Sequence, residues 1–237
     1  MQEEPTPAPF PVLPARSGPG PVVRALGRAL PGVREVGGHI LDYGTEWDRR
    51  TRAAIDTDAL LWVALGDSTA QGIGASTIDG GYVAQLYRQR PLPSADLGLV
   101  NISVSGARID DVLRRQLPVL DALRTRVQLV TCSIGSNDLT RSPNARRITG
   151  SLRRLFAALE GVPTVAVATL PIGSLSLAGR MVNTMIRREA PLHGLVVADV
   201  QAAYQAPYRG KMAPDRFHPN AAGYEDWATA FVRALDW

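Results

Sequence analysis

The sequence predicts an α/β protein built on a parallel sheet, and three observations carry that prediction. Five short apolar runs fall at Leu60–Leu65, Leu99–Ser103, Leu129–Ile134, Thr164–Thr169 and Leu195–Asp199. Helical patterns separate them, which is the order that parallel βαβ units require. The polar residues suited to chemistry follow these runs closely, at the carboxyl edge where the loops of an open parallel sheet converge.

Taken in order, residues 1–21 are rich in proline and glycine and predict an extended, poorly ordered tail. Residues 22–57 carry two helical patterns, "VVRALGRAL" and "TEWDRRTRAAI", the second with Thr45 as its cap and Glu46 and Asp48 in its first turn. They are expected to form a helical extension packed on the main domain, residues 58–237; a small membrane-surface helix is the alternative. Within that domain, "RIDDVLRRQLPVLDAL" and "RRITGSLRRLFAALEG" space apolar residues three and four apart, and Gly161 supplies a C-cap to the second. Leu177, Met181, Met185 and Ile186 form a helical stripe behind Ser174 and Ser176, read as packing on the sheet, with an acyl-pocket lining as the alternative. Tyr224, Trp227, Ala228, Phe231 and Leu235 line up behind Asn220 as N-cap, which predicts a docked C-terminal helix.

Composition bounds the function. With 237 residues, 45% of them hydrophobic and 20% charged, the chain can bury a substantial core and is not largely disordered. The formal charge is +4, and Lys211 is the only lysine. The arginines fall in scattered pairs (Arg49-Arg50, Arg114-Arg115, Arg146-Arg147, Arg153-Arg154, Arg187-Arg188) on helical patterns, which reads as solvated helix faces and not as a nucleic-acid surface. Cys132 is the only cysteine, so no intramolecular disulfide can form, and it reads as a small buried residue. No run approaches the roughly 18 apolar residues of a membrane span. The N-terminal stretch lacks the apolar core of a signal peptide, so a cytoplasmic location is expected. Nothing in the sequence specifies an oligomeric state.

The stretch "LLWVALGDSTAQGIGAS" runs from the first apolar run into a turn carrying Asp67, Ser68 and Thr69. Gly72 and Gly74 would suit a phosphate cradle, but "GIGASTIDGG" lacks the third glycine, Asp96 lies before the second run, and no GxxxxGK occurs. Acyl transfer fits better. A serine hydroxyl needs a base, and histidine, with an ordinary pKa of about 6.5, suits that task. His218 is that base, and Asp215, three residues earlier in "PDRFHPN", can hold its imidazole. An oxyanion would be met by the Ser68 N–H, the Gly106 N–H and the Asn137 amide. His39 and His193 read as surface or loop histidines, and Asp67 and Asp138 as hydrogen-bond acceptors in their turns. Three histidines and one cysteine in no zinc spacing lead us to expect neither a metal nor any other cofactor.

These residues resemble the SGNH hydrolase superfamily, the GDSL-type esterases and lipases: "GDS" at Gly66–Ser68, the block glycine Gly106, "GSND" at Gly135–Asp138 and "DRFHPN" from Asp215, in family order from about Ala64 onward. The resemblance implies a flavodoxin-like three-layer α/β/α sandwich with a central five-stranded parallel sheet. It also implies a metal-independent carboxylic ester hydrolase working through an acyl-enzyme. By position, Ser68 is the nucleophile, Asp215 and His218 complete the triad, and Ser68, Gly106 and Asn137 form the oxyanion hole. The substrate would be a small-molecule, lipid or carbohydrate ester. An acyltransferase on the same triad and an idle binding module are the alternatives. Thr69 departs from the pattern, since many members carry leucine there, and residues 1–60 lie outside the resemblance.

Overall fold

The computed structural model describes residues 11–91, 96–171 and 176–237. Strands β1 (Leu61–Gly66), β2 (Gly98–Asn101), β3 (Val127–Ser133), β4 (Thr164–Ala168) and β5 (Val196–Ala198) form one sheet in the order β2-β1-β3-β4-β5. Every neighbouring pair is parallel. All five predicted strands are present, with ends displaced by a residue or two.

Helices cover both faces, and the strand sequences show why. On β1, Leu61, Val63 and Leu65 point into one core and Trp62 and Ala64 into the other, as a period of two requires. The first core is aliphatic. It packs α5 (Ile109–Asp111), α6 (Leu117–Leu123), α8 (Ala145–Leu159) and α9 (Leu177–Glu189) against Val63, Val130, Cys132 and Val167. Burial raises the Cys132 thiol to about 12, so it serves as an inert small side chain.

The second core is aromatic. Here α2 (Pro31–Ile55), α4 (Tyr82–Gln89) and α11 (Ala221–Leu235) bring Trp47, Tyr82, Tyr224, Trp227 and Phe231 onto the sheet. The strands answer these rings with small residues, Ala64, Ala166, Ala168 and Ala198. Tyr82 stacks on Phe231 with centroids 5.1 Å apart. Asn220 caps α11 as predicted, accepting from the Gly223 N–H at 3.0 Å.

Three sequence expectations need correction. Thr45 opens no helix: after α1 (Pro21–Ala29), α2 runs unbroken through it for 25 residues. Tertiary packing of Val36, Ile40, Tyr43 and Trp47 on the aromatic core overrides the local start signal. The segment from Ile109 to Leu123 is not one regular helix, because Val112–Gln116 widen into a π turn just before Pro118. Proline lacks an N–H and crowds the carbonyl four residues back, and the wider turn relieves both. In α9 the stripe is rotated from its predicted face: Met185 and Ile186 are buried, but Leu177 and Met181 are 66% and 52% exposed. Val182 and Asn183 take the inner positions instead. Ser174 lies outside the described residues.

The tail expected over residues 1–21 falls in part, residues 1–10, outside the description. Residues 11–20 form no helix or strand. The Arg16 side chain is nonetheless only 7% exposed, donating to Asp48 Oδ1 at 2.9 Å, to the Asn101 carbonyl at 3.1 Å and to the Ser103 carbonyl. One arginine thus fastens this stretch to both α2 and the end of β2.

Candidate active site

Three connections at the carboxyl edge of the sheet build the site. The first follows β1. Gly66 sits at φ +142, and a Cβ there would lie 2.3 Å from the Ser133 carbonyl oxygen, so only glycine lets β1 turn this close to β3. Asp67 then caps α3 (Ser68–Gln71), its Oδ1 accepting from the Thr69 N–H at 3.0 Å and the Thr69 hydroxyl at 2.8 Å. Ser68 begins that helix, 7% exposed. The departure at Thr69 therefore has a local use, since its hydroxyl holds the capping carboxylate and shares a 3.3 Å contact with Ser133 Oγ.

The second connection carries the acid and the imidazole. After α10 (Val200–Ala203), the chain folds on itself through a bridge between Met212 and Pro219, with the Ala213 N–H donating to the His218 carbonyl at 2.8 Å. Arg216 takes φ +57, a left-handed conformation that costs a non-glycine residue about 1–2 kcal/mol. Asp215 compensates: its Oδ1 accepts the Phe217 and His218 N–H groups, both at 3.0 Å, and its Oδ2 meets His218 Nδ1 at 2.6 Å. Burial alone would raise this carboxyl. The hydrogen bond and charge of His218, with the two backbone donors, outweigh burial and hold it below the ordinary range.

These two connections meet. His218 Nε2 lies 3.0 Å from Ser68 Oγ. The approach depends on Gly74, where a Cβ would stand 2.4 Å from the Pro219 carbonyl oxygen and 2.7 Å from His218 Cβ. Ser68, His218 and Asp215, expected together from the sequence, thus form one hydrogen-bonded chain.

The third connection follows β3. Asn137, in the first turn of α7 (Ser136–Arg141), donates from Nδ2 to Asp67 Oδ2 at 3.2 Å and to the Ala107 carbonyl at 3.1 Å. That amide ties the turns after β1, β2 and β3 together. Gly106, at φ +77, precedes the carbonyl that Asn137 grips but is not among the residues lining the cavity beside Ser68. Asp138 accepts from the Ile109 N–H at 3.1 Å, as its turn-forming reading required. Burial pushes the Asp67 carboxyl up, against the lowering effect of Thr69 and the nearby His218.

A cavity of about 270 Å³ opens beside Ser68, Asn137 and His218. Tyr204, Tyr208, Met212, Phe217 and Trp227 supply the aromatic and thioether part of its wall, Thr69, Ser136 and Arg216 add polar groups, and the Tyr204 hydroxyl donates to Met212 Sδ at 2.8 Å. Neither other histidine joins the site. His39 lies within α2, stacked on Tyr43 with centroids 4.9 Å apart, and His193 Nδ1 meets Glu160 at 2.6 Å. Among the described residues no three His, Cys, Asp or Glu side chains gather as a metal-holding group.

Sequence reading missed Gln116. Its side chain, 1% exposed, crosses into the sheet and pairs with both backbone groups of Gly66, accepting from the N–H at 2.9 Å and donating to the carbonyl at 2.8 Å. The signal was present, because Gln116 stands among Val112, Val119, Leu120 and Leu123 at a core position of its helix. A polar residue there needs a buried partner.

Residues 64–225 match the GDSL-like lipase/acylhydrolase family, and the chain belongs to it. Fold and family together define a carboxylic ester hydrolase of the SGNH type. The acetylxylan esterase Axe2 from Geobacillus stearothermophilus shares 22% identity and superposes over 74% of this chain and 94% of its own, with a TM-score of 0.56. A family 3 carbohydrate esterase from Clostridium thermocellum, 18% identical, covers 76% of this chain and 96% of its own at a TM-score of 0.61. A member of the lipolytic G-D-S-L family from Veillonella parvula, 17% identical, covers 75% and 99% at 0.61. At these identities the likeness is one of fold. No curated protein matches the chain at a significant level.

Proposed function

We propose that the protein is a serine esterase whose nucleophile is Ser68. The observation that carries this reading is the hydrogen-bonded chain from Ser68 Oγ through His218 to Asp215, at 3.0 and 2.6 Å. His218 takes the hydroxyl proton as Ser68 attacks the ester carbonyl, and Asp215 stabilises the imidazolium and fixes which nitrogen is free. The oxyanion draws on the Ser68 and Gly106 N–H groups and on Asn137 Nδ2, whose 3.2 Å bond to Asp67 is the longer of its two and the one it shares with the developing charge. His218 then protonates the departing alcohol. A water, deprotonated by the same imidazole, releases the acid from Ser68.

The cavity supports an apolar acyl group larger than acetyl. A methyl group fills about as much space as a water, whose share of the liquid is about 30 Å³, and the cavity measures about 270 Å³. Five of its lining residues, Tyr204, Tyr208, Met212, Phe217 and Trp227, offer an apolar acyl group rings or a thioether, and the Tyr204 hydroxyl is already bonded. Labelling with a fluorophosphonate and peptide mapping tests the reading. The adduct should sit on Ser68 and vanish in Ser68→Ala; an adduct on another serine of an active preparation would overturn it.

A further inference from the structure

The aliphatic and aromatic cores leave an apolar stripe on α1 outside both, longer than the exposed pair Leu177 and Met181 on α9. On α1, Val22 and Leu26 stand one turn apart on the same side, 70% and 48% exposed, and Leu30 continues the stripe at the helix end, 49% exposed. The helix rests on α2 through another side: a Cβ at Gly37 would lie 3.3 Å from Val23 Cγ1, and one at Gly27 would lie 3.3 Å from Arg34 Cα. Exposed Ala25 and Ala29 widen the outward apolar sector. Exposed Arg24 and Arg28 lie on the other side of the helix, about 160° and 120° from Val22 at 100° per residue.

Charge identifies what this face meets. Residues 5–34 contain four arginines, one of which, Arg16, is held by Asp48, and no acidic residue; α8 is as rich in arginine and free of acids, but its apolar face, with Ile148, Leu152, Leu155 and Phe156, is buried. Apolar side chains on one face and arginines on the other is the pattern of a helix that lies in the plane of a membrane interface, where guanidinium groups reach lipid phosphates. None of the helices among the described residues is long and apolar enough to cross a bilayer, so the helix would rest on the surface. We propose that α1 seats the protein on an anionic lipid bilayer, Val22, Leu26 and Leu30 entering the headgroup boundary and Arg24 and Arg28 pairing with lipid phosphates.

The stripe also ends beside the site. Two residues past Leu30, a Cβ at Gly32 would stand 2.2 Å from the Pro214 carbonyl oxygen, next to Asp215. The same loop carries Phe217 and Tyr208, 59% and 41% exposed at the cavity wall. Docking through α1 therefore brings the cavity mouth to the lipid. The proposal does not depend on which serine reacts.

Co-sedimentation of the full chain with vesicles tests it. The protein should pellet with phosphatidylglycerol vesicles and at least about tenfold less with phosphatidylcholine alone, and added salt should release it. Arg24→Gln with Arg28→Gln should weaken binding by about fivefold per arginine, the equivalent of about 1 kcal/mol each. Val22→Gln with Leu26→Gln should weaken it by about tenfold or more. Both double variants should keep the parent's thermal midpoint, which separates lost docking from lost folding. No binding to anionic vesicles, or unchanged binding in the Val22/Leu26 variant, would overturn the proposal. So would light scattering that shows a dimer dissociated by that variant, which would assign the stripe to a second copy of the chain.

Discussion

The turn that carries Ser68 and the loop that carries His218 reach one point by opposite means. The turn is held from outside itself: Gly66 is clasped by Gln116, fifty positions along the chain, and Asp67 by Asn137, seventy positions along. The loop is held from within, by an aspartate that accepts the N–H groups two and three residues later and by its own backbone bridge. Their acids differ accordingly. Asp67 is buried and its carboxyl is pushed up, while Asp215 is held down by its imidazole and backbone donors. On the mechanism we propose, a nucleophile fixed by the whole sheet is served by a base fixed almost locally.

Breaking the local side should have the largest effect. Asp215→Asn keeps an acceptor for the two backbone donors but can favour the wrong tautomer of His218. It should lower kcat by up to about 10⁴ with the fold intact. A fully active variant in steady-state assays would show that the loop needs no acid. On the other side, Asn137→Ala removes the proposed oxyanion donor together with the tie between Asp67 and Ala107. We expect kcat to fall by roughly 10²–10³ with KM little changed; a loss seen only in KM would make Asn137 a binding residue.

A smaller effect should follow from Gln116→Leu, which leaves the Gly66 N–H without its buried partner, while the Gly66 carbonyl keeps the Val104 N–H at 3.1 Å. Urea unfolding should register a loss of about 1–3 kcal/mol at most. A drop in kcat with unchanged KM would mark Gln116 as a positioning residue. The methionine variant, of similar length, should recover packing but not rate.

The finest test uses pH, because the two acids carry opposite linkage. Asp215 has a folded pKa below its unfolded value of about 3.9. Its contribution is present above that value and is lost as pH falls through the folded pKa. Asp67 is raised, so its contribution is present below the unfolded value and is lost as pH rises through the folded one. In unfolding measured from acid to neutral pH, the parent should gain on Asp215→Asn as pH rises and lose ground to Asp67→Asn. Parallel curves would mean that the two acids share one environment.

Much of this site was legible because its chemistry is written in short segments. "GDS" and "GSND" directly follow strands, so alternation of strand and helix was enough to bring Ser68 and Asn137 to one edge, while "DRFHPN" reaches it through a longer loop that follows α10. Asp215 was legible for a stricter reason, since three residues of chain limit where its carboxylate can go. What escaped depends on tertiary contact. Gln116 sits in a helical pattern that sequence periodicity reads as continuous, and only the widened turn before Pro118 aims it at Gly66. The unbroken α2 escaped for a like reason, because the aromatic core that overrides the Thr45 start signal is assembled from helices far apart in the chain.

The Gln116–Gly66 pairing has a kinetic corollary. The Gly66 amide proton is shielded by a side chain from the helical layer and not only by neighbouring strands. Its exchange with solvent deuterium therefore clocks the lifting of the segment from Val112 to Leu123 away from the sheet. One backbone proton, directly before the Asp67–Ser68 turn, becomes a reporter of how often the aliphatic face of the molecule breathes.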